Sequence, residues 1–221
     1  MTGAWRVSEV WRLIDEAAEA RNRVAAAAAR LSAEQGAFAP PAEGGREAWS
    51  AAQLVEHLVL AEQADVLAAW AALDALRGGS RPAWTGEPVH RGRRIEEVVC
   101  ATWREREDAP APTRPRAAGG PLDHWVAALY ARQPLLEALG AQLGDAVAVG
   151  ITLDRVVHPH PICGPLDARQ RLELLRFHMD RHCAQIDALV AHPAFPPPPP
   201  VRPRRSSGRG RVRALAADDH G

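Results

Sequence analysis

The sequence predicts an all-α protein: a four-helix bundle with long connections and a disordered C-terminal tail. Three observations carry this. Hydrophobic residues make up 47% of the 221, and many of them are alanine, the strongest helix former. Four long segments repeat their apolar residues at three- and four-residue steps, the helical period. Strand-favouring β-branched and aromatic residues are sparse, with aromatics at 5%. Four amphipathic helices, each with one apolar stripe, bury those stripes best against one another.

The first helix is expected over about 6–35, on Val7, Val10, Trp11, Ile14, Ala17, Val24 and Leu31, with Gly36 and Pro40-Pro41 stopping it. The second runs from about 50 to 77. Ser50 and Gln53 make a capping-box pattern, and Gly78-Gly79 end it. Its stripe reads Leu54, His57, Leu60, Ala61, Ala64, Leu67, Ala68 and Ala71, so a histidine stands where a leucine would be expected. A shorter helix over 93–107 uses Ile95, Val98, Val99 and Trp103, and the Pro/Arg-rich stretch 108–121 is a connection. The third long helix spans about 122–143, with Pro134 expected to kink or break it. Residues 144–166 form a structured connection. The fourth helix spans about 167–191, capped by Asp167, with a stripe of Leu175, His178, Met179, His182, Ile186 and Leu189. The bundle is thus assigned to 1–192. The Pro/Arg-rich remainder, 193–221, cannot bury much apolar area and is expected to be disordered.

Composition narrows the function. The formal charge is zero, with 27 basic and 27 acidic residues, so no global field attracts nucleic acid or an anionic membrane. The tail's arginines lack interleaved aromatics and read as a solvated extension. No stretch is apolar enough to span a bilayer, and no secretory signal is evident. Three scattered cysteines, Cys100, Cys163 and Cys183, suit a reducing cytoplasm and are not a disulfide framework. The absence of lysine and the alanine, proline and glycine bias suggest a high-GC bacterial source.

The histidines carry the chemistry. The motif H-M-D-R-H at 178–182 puts two imidazoles four apart on one helical face, with Cβ atoms roughly 6 Å apart. Metal–nitrogen bonds of about 2.0–2.1 Å let one ion bind both. A third ligand must come from another helix, and His57 is the candidate. Burying three imidazoles without partners costs free energy for each unsatisfied nitrogen, and a shared ion removes that cost. Three histidines and an open position suit a catalytic ion. Imidazole accepts Zn, Ni, Cu or Fe alike, so the metal's identity stays open.

The segments W-S-A-A-Q-L-V-E-H-L-V-L-A-E (49–62), H-P-H-P-I-C-G-P-L (158–166) and R-F-H-M-D-R-H-C-A-Q-I (176–186) together resemble the DinB-like superfamily. The resemblance runs in order over roughly 5–190. It implies a DinB/YfiT-like four-helix bundle with a three-histidine metal site falling on His57, His178 and His182. The superfamily includes S-transferases and isomerases that use low-molecular-weight thiols. This chain departs from it in the long 78–121 insertion and the arginine-proline tail.

Other residues are weaker candidates. Gln185, one turn beyond His182, could orient a ring. His158 and His160 precede the last helix and could approach the metal if their loop folds over the bundle's mouth; otherwise they are solvated or locally bonded. Trp84 could line a pocket or pack in a core or lid. Trp11 and Trp125 fit core stripes, and Trp49 could staple the second helix's start. Cys163 and Cys183 read as small buried thiols, and Glu56 and Asp180 should point away from the site. Three functions remain in play: a thiol-dependent S-transferase, a metal-dependent hydrolase, and a non-catalytic partner-binding or stress-linked bundle with a structural or vestigial site. The first two imply a small-molecule or thiol partner, and a homodimer is compatible with all three.

Overall fold

The structure is a computed structural model and describes residues 5–41, 48–103, 108–116 and 120–200. The helices are α1 (Val7–Ala28), α2 (Ala33–Ala37), α3 (Ala51–Leu76), α4 (Ile95–Thr102), α5 (Leu122–Tyr130), α6 (Gln133–Ala148) and α7 (Ala168–Val190). Strands β1 (Val157–His160) and β2 (Gly164–Asp167) form an antiparallel hairpin between α6 and α7. The all-α expectation holds apart from this small ribbon. Among the described residues, no helix is long and apolar enough to cross a membrane.

Local chemistry sets the boundaries. The Ser50 backbone N–H donates to Gln53 Oε1 (2.9 Å), and the Gln53 N–H donates to Ser50 Oγ (3.3 Å), closing the expected box at the start of α3. Asp167 and Gln170 do the same for α7. The helix expected over 6–35 is shorter, because Ser32 forms another capping box with Gln35 and starts α2. Gly36 belongs to α2, where a Cβ would stand 2.7 Å from Leu122 Cδ2 of α5. The helix expected over 122–143 is broken, and α6 runs on to Ala148. Pro134 sits in the first turn of α6, where its missing N–H is tolerated.

Two apolar clusters fill the interior. Val10, Leu13 and Ile14 of α1 meet Leu136, Leu139 and Leu143 of α6 and Leu172 and Leu175 of α7. Val24 of α1, Leu54 and Leu58 of α3, Leu129 of α5 and Ile186 of α7 form the other. Between them in sequence lies a buried polar set: Arg21 Nε donates to both Glu62 carboxylate oxygens at 3.2 and 3.1 Å, and its Nη1 donates to Gln133. A third cluster packs Ile95 and Val98 of α4 against Cys163, Leu166 and Leu174.

The α3 stripe expected to face the core is corrected. Val55, Leu58, Val59, Val66, Ala69 and Leu73 are buried, whereas Leu67 is 48% exposed and Ala64 and Ala71 are also exposed. This helix is apolar nearly all round, so periodicity cannot single out its core face. Trp11 is 37% exposed and lies over Gly140 at the edge of the core, while Trp125 is partly buried against the second cluster. Residues 193–200 carry no regular structure, yet Phe195 meets the ring of Phe38 edge-on at 5.4 Å and Pro196 O accepts from Gln35 Nε2 at 3.0 Å. The remainder of the tail expected to be disordered, 201–221, lies outside the described residues.

Candidate metal centre

His57 stands on α3, and His178 and His182 stand one turn apart on α7. His178 Nε2 is 3.1 Å from His57 Nε2 and 2.9 Å from His182 Nε2. One ligand atom from each of the three rings lies within 4.8 Å of the others. Two rings are anchored from behind. His57 Nδ1–H donates to the Thr113 carbonyl oxygen at 2.7 Å, and His182 Nδ1–H donates to Gln185 Oε1 at 2.7 Å. Trp49 packs against His57, and Trp103 meets His178 edge-on.

Counting protons tests whether these residues suit a cation. With Nδ1 donating, His57 and His182 each present a bare Nε2 lone pair to His178. One proton on His178 Nε2 can be aimed at only one of these contacts, leaving the other without a donor. A cation among the three nitrogens would satisfy all of them. Tetrahedral metal–nitrogen bonds imply ligand nitrogens about 3.3 Å apart, within a few tenths of an ångström of those observed. The donor set therefore fits a divalent ion. Burial lowers the pKa of His57 below its ordinary value. Burial, then His182 and His57, hold His178 well below it; burial and then His57 bring His182 down to about 3. The rings are thus neutral at physiological pH, as metal ligands must be.

The cluster opens on a cleft of about 1030 Å³. The face of α3 that sequence periodicity assigned to the core, from His57 through Ala61, Ala64 and Ala68, lines it. His158 and His160 line it from β1, as the folded-over loop would require, and Gln185 lines it from α7. Trp84 is not among the lining residues; its ring packs over Gly86 in the loop before α4. Asp180 points away, pairing with Arg23 at 2.7 Å. Glu56 is buried and accepts the Arg116 backbone N–H at 3.2 Å, so consecutive residues of α3 tether the 108–116 segment. No cysteine belongs to the ligand cluster among the described residues, and burial pushes the Cys163 thiol up.

Sequence reasoning missed two polar groups that shape the cleft. Asp65 lies two turns beyond His57 on α3, and Arg171 two turns before His178 on α7. Their side chains form a buried ion pair. Arg171 Nη2 also donates to the His158 and Pro159 carbonyl oxygens at 2.9 and 2.8 Å, which fixes β1. Seven- and eight-residue spacing from the histidines was the signal available.

Fold and site together define a mainly helical protein with a three-histidine candidate metal centre in an open cleft. A family model for the DinB superfamily matches residues 16–186, and the chain belongs to that superfamily. Comparisons with curated proteins and with solved structures find no match.

Proposed function

We propose that this protein is a metal-dependent enzyme that transfers a group to a low-molecular-weight thiol, with His57, His178 and His182 holding one divalent ion. The observation that carries the reading is the convergence of three Nε2 atoms, two of them on rings whose Nδ1–H is already committed. A bound divalent ion would supply Lewis acidity, lowering the pKa of a thiol at the open position.

The chain's own residues do the rest. Thr113 O and Gln185 Oε1 fix two ring orientations. The cleft slightly exceeds the size usual for one drug-sized ligand, so a thiol and an electrophile fit side by side. That room favours two-substrate transfer. In the transfer, a carbon–sulfur bond forms as the bond to the leaving group breaks.

Metal analysis tests the reading. Wild-type protein is expected to carry about one equivalent of divalent metal, lost in His178→Ala. If both hold equally little metal and melt alike, the site reading fails. Given a metal, consumption of a thiol against a panel of electrophiles separates transfer from hydrolysis.

A further inference from the structure

His160 sits in the same cleft but outside the three-histidine cluster. It ends β1, and its Nδ1 accepts the backbone N–H groups of Ile162 (3.2 Å) and Cys163 (3.1 Å). A nitrogen accepting two N–H donors carries no proton, so the ring is the neutral Nε2–H tautomer. Protonated at Nε2 and turned inward at Nδ1, it has no lone pair to offer a metal. Among the described residues no acceptor takes this Nε2–H, and the atom is not sealed from solvent.

The ring is held by more than its own turn. Arg171 fixes the two preceding carbonyls, and His90 Nε2–H donates to Cys163 O at 2.8 Å. Asp65 and Arg171 in the cleft lining neutralise each other, so a divalent ion on the three neutral histidines would bias the cleft positive. A fixed donor in a positively biased cleft matches an anionic oxygen.

We infer that His160 is a preorganised hydrogen-bond donor to a carboxylate or similar oxyanion on the molecule that occupies the cleft. This deepens the three-histidine reading and rests on it for the cleft's function. It assigns an anionic group to the thiol or the electrophile. Burial, which disfavours a charged ring here, keeps the donor neutral.

Two variants separate the ring's two edges. In His160→Asn, Oδ1 can still accept the backbone N–H groups, but the shorter amide leaves no N–H at the position of Nε2. In His160→Gln, Nε2 can still reach the cleft, but the turn loses its acceptor. Long-range 1H–15N spectra of the metal-free protein are expected to show His160 as the Nε2–H tautomer at neutral pH. Acetate, and not acetamide, is expected to shift that resonance. In cobalt-loaded protein followed by visible absorption, acetate affinity is expected to fall about tenfold in His160→Asn, the scale of one charge-assisted hydrogen bond. His160→Gln is expected to keep most of it while melting lower. An Nδ1–H or doubly protonated ring, or wild-type acetate affinity in His160→Asn, overturns the inference. If the protein takes up no cobalt, the three-histidine reading fails, and the spectra of the metal-free protein still decide the role of His160.

Discussion

Asp65 and Arg171 pair inside the protein, two helical turns from His57 on one helix and two turns from His178 on the other. One ion pair and one histidine cluster therefore bridge the same two helices. The pair fixes the separation of α3 and α7, and through the carbonyls of His158 and Pro159 it seats the hairpin at the cleft's edge.

Removing one partner leaves a buried charge alone. Asp65→Ala is expected to cost about 3–5 kcal/mol in urea unfolding, while Asp65→Leu combined with Arg171→Met costs much less than the two single changes summed. Metal content should drop in the single variant even where it remains folded. Additive losses would show that the pair is not coupled.

Acid should destabilise the metal-free protein early. The three rings titrate near 6.5 when unfolded, but His57 is lowered in the fold, His178 is well below, and His182 is about 3. Between those limits the unfolded chain binds protons that the native state refuses. Stability is therefore present above about pH 6.5 and lost as pH falls below it, by up to about 1.4 kcal/mol per pH unit for each ring. Urea midpoints at about pH 7, 6 and 5 should fall steadily. The slope should flatten when His178 and His182 are both replaced by leucine.

Asp167 titrates in the opposite sense. Burial raises its carboxyl to about 6 despite the hydrogen bond from the Gln170 backbone N–H, and among the described residues its Oδ2 has no partner. A raised acid contributes stability below its unfolded value of about 3.9 and loses it as pH rises through about 6. Asparagine caps a helix about as well as aspartate. Asp167→Asn is therefore expected to gain on the wild type between about pH 4 and 6. A difference constant with pH would rule this out.

Gln185 lines the cleft and orients His182 by accepting its Nδ1–H. Gln185→Leu is expected to weaken metal binding about 10–100-fold in competition with a chromophoric chelator, with the melting temperature of the metal-free protein little changed. Undiminished affinity would show that this hydrogen bond does not hold the ring.

The pair His178 and His182 was legible because four-residue spacing on a strongly periodic helix fixes a shared face. His57 was legible as a polar interruption of an apolar stripe, although much of that stripe, from His57 to Ala68, lines the cleft. Alanines at 61, 64 and 68 are as compatible with a cleft wall as with a helix contact, so the pattern could not distinguish them. The acceptor for His57 was invisible because it is the backbone oxygen of Thr113, which any residue type would supply. The hairpin was hidden by its shortness and by Pro159 facing Pro165, a pairing without a single N–H to offer the ladder. The capping box at Ser50 and the cap at Asp167 were readable because they are local. The one at Ser32 lay inside a segment whose alanines favoured an unbroken helix.

The ring contacts of the candidate centre join positions 57 and 178, which are 121 residues apart. No short segment of the chain contains both, so an ion bound there would act as a removable cross-link that the native fold closes. By mass action it would add about 2.7 kcal/mol when free metal exceeds the dissociation constant a hundredfold. Metal supply would then set how long the protein survives unfolding and proteolysis, independently of any reaction it performs.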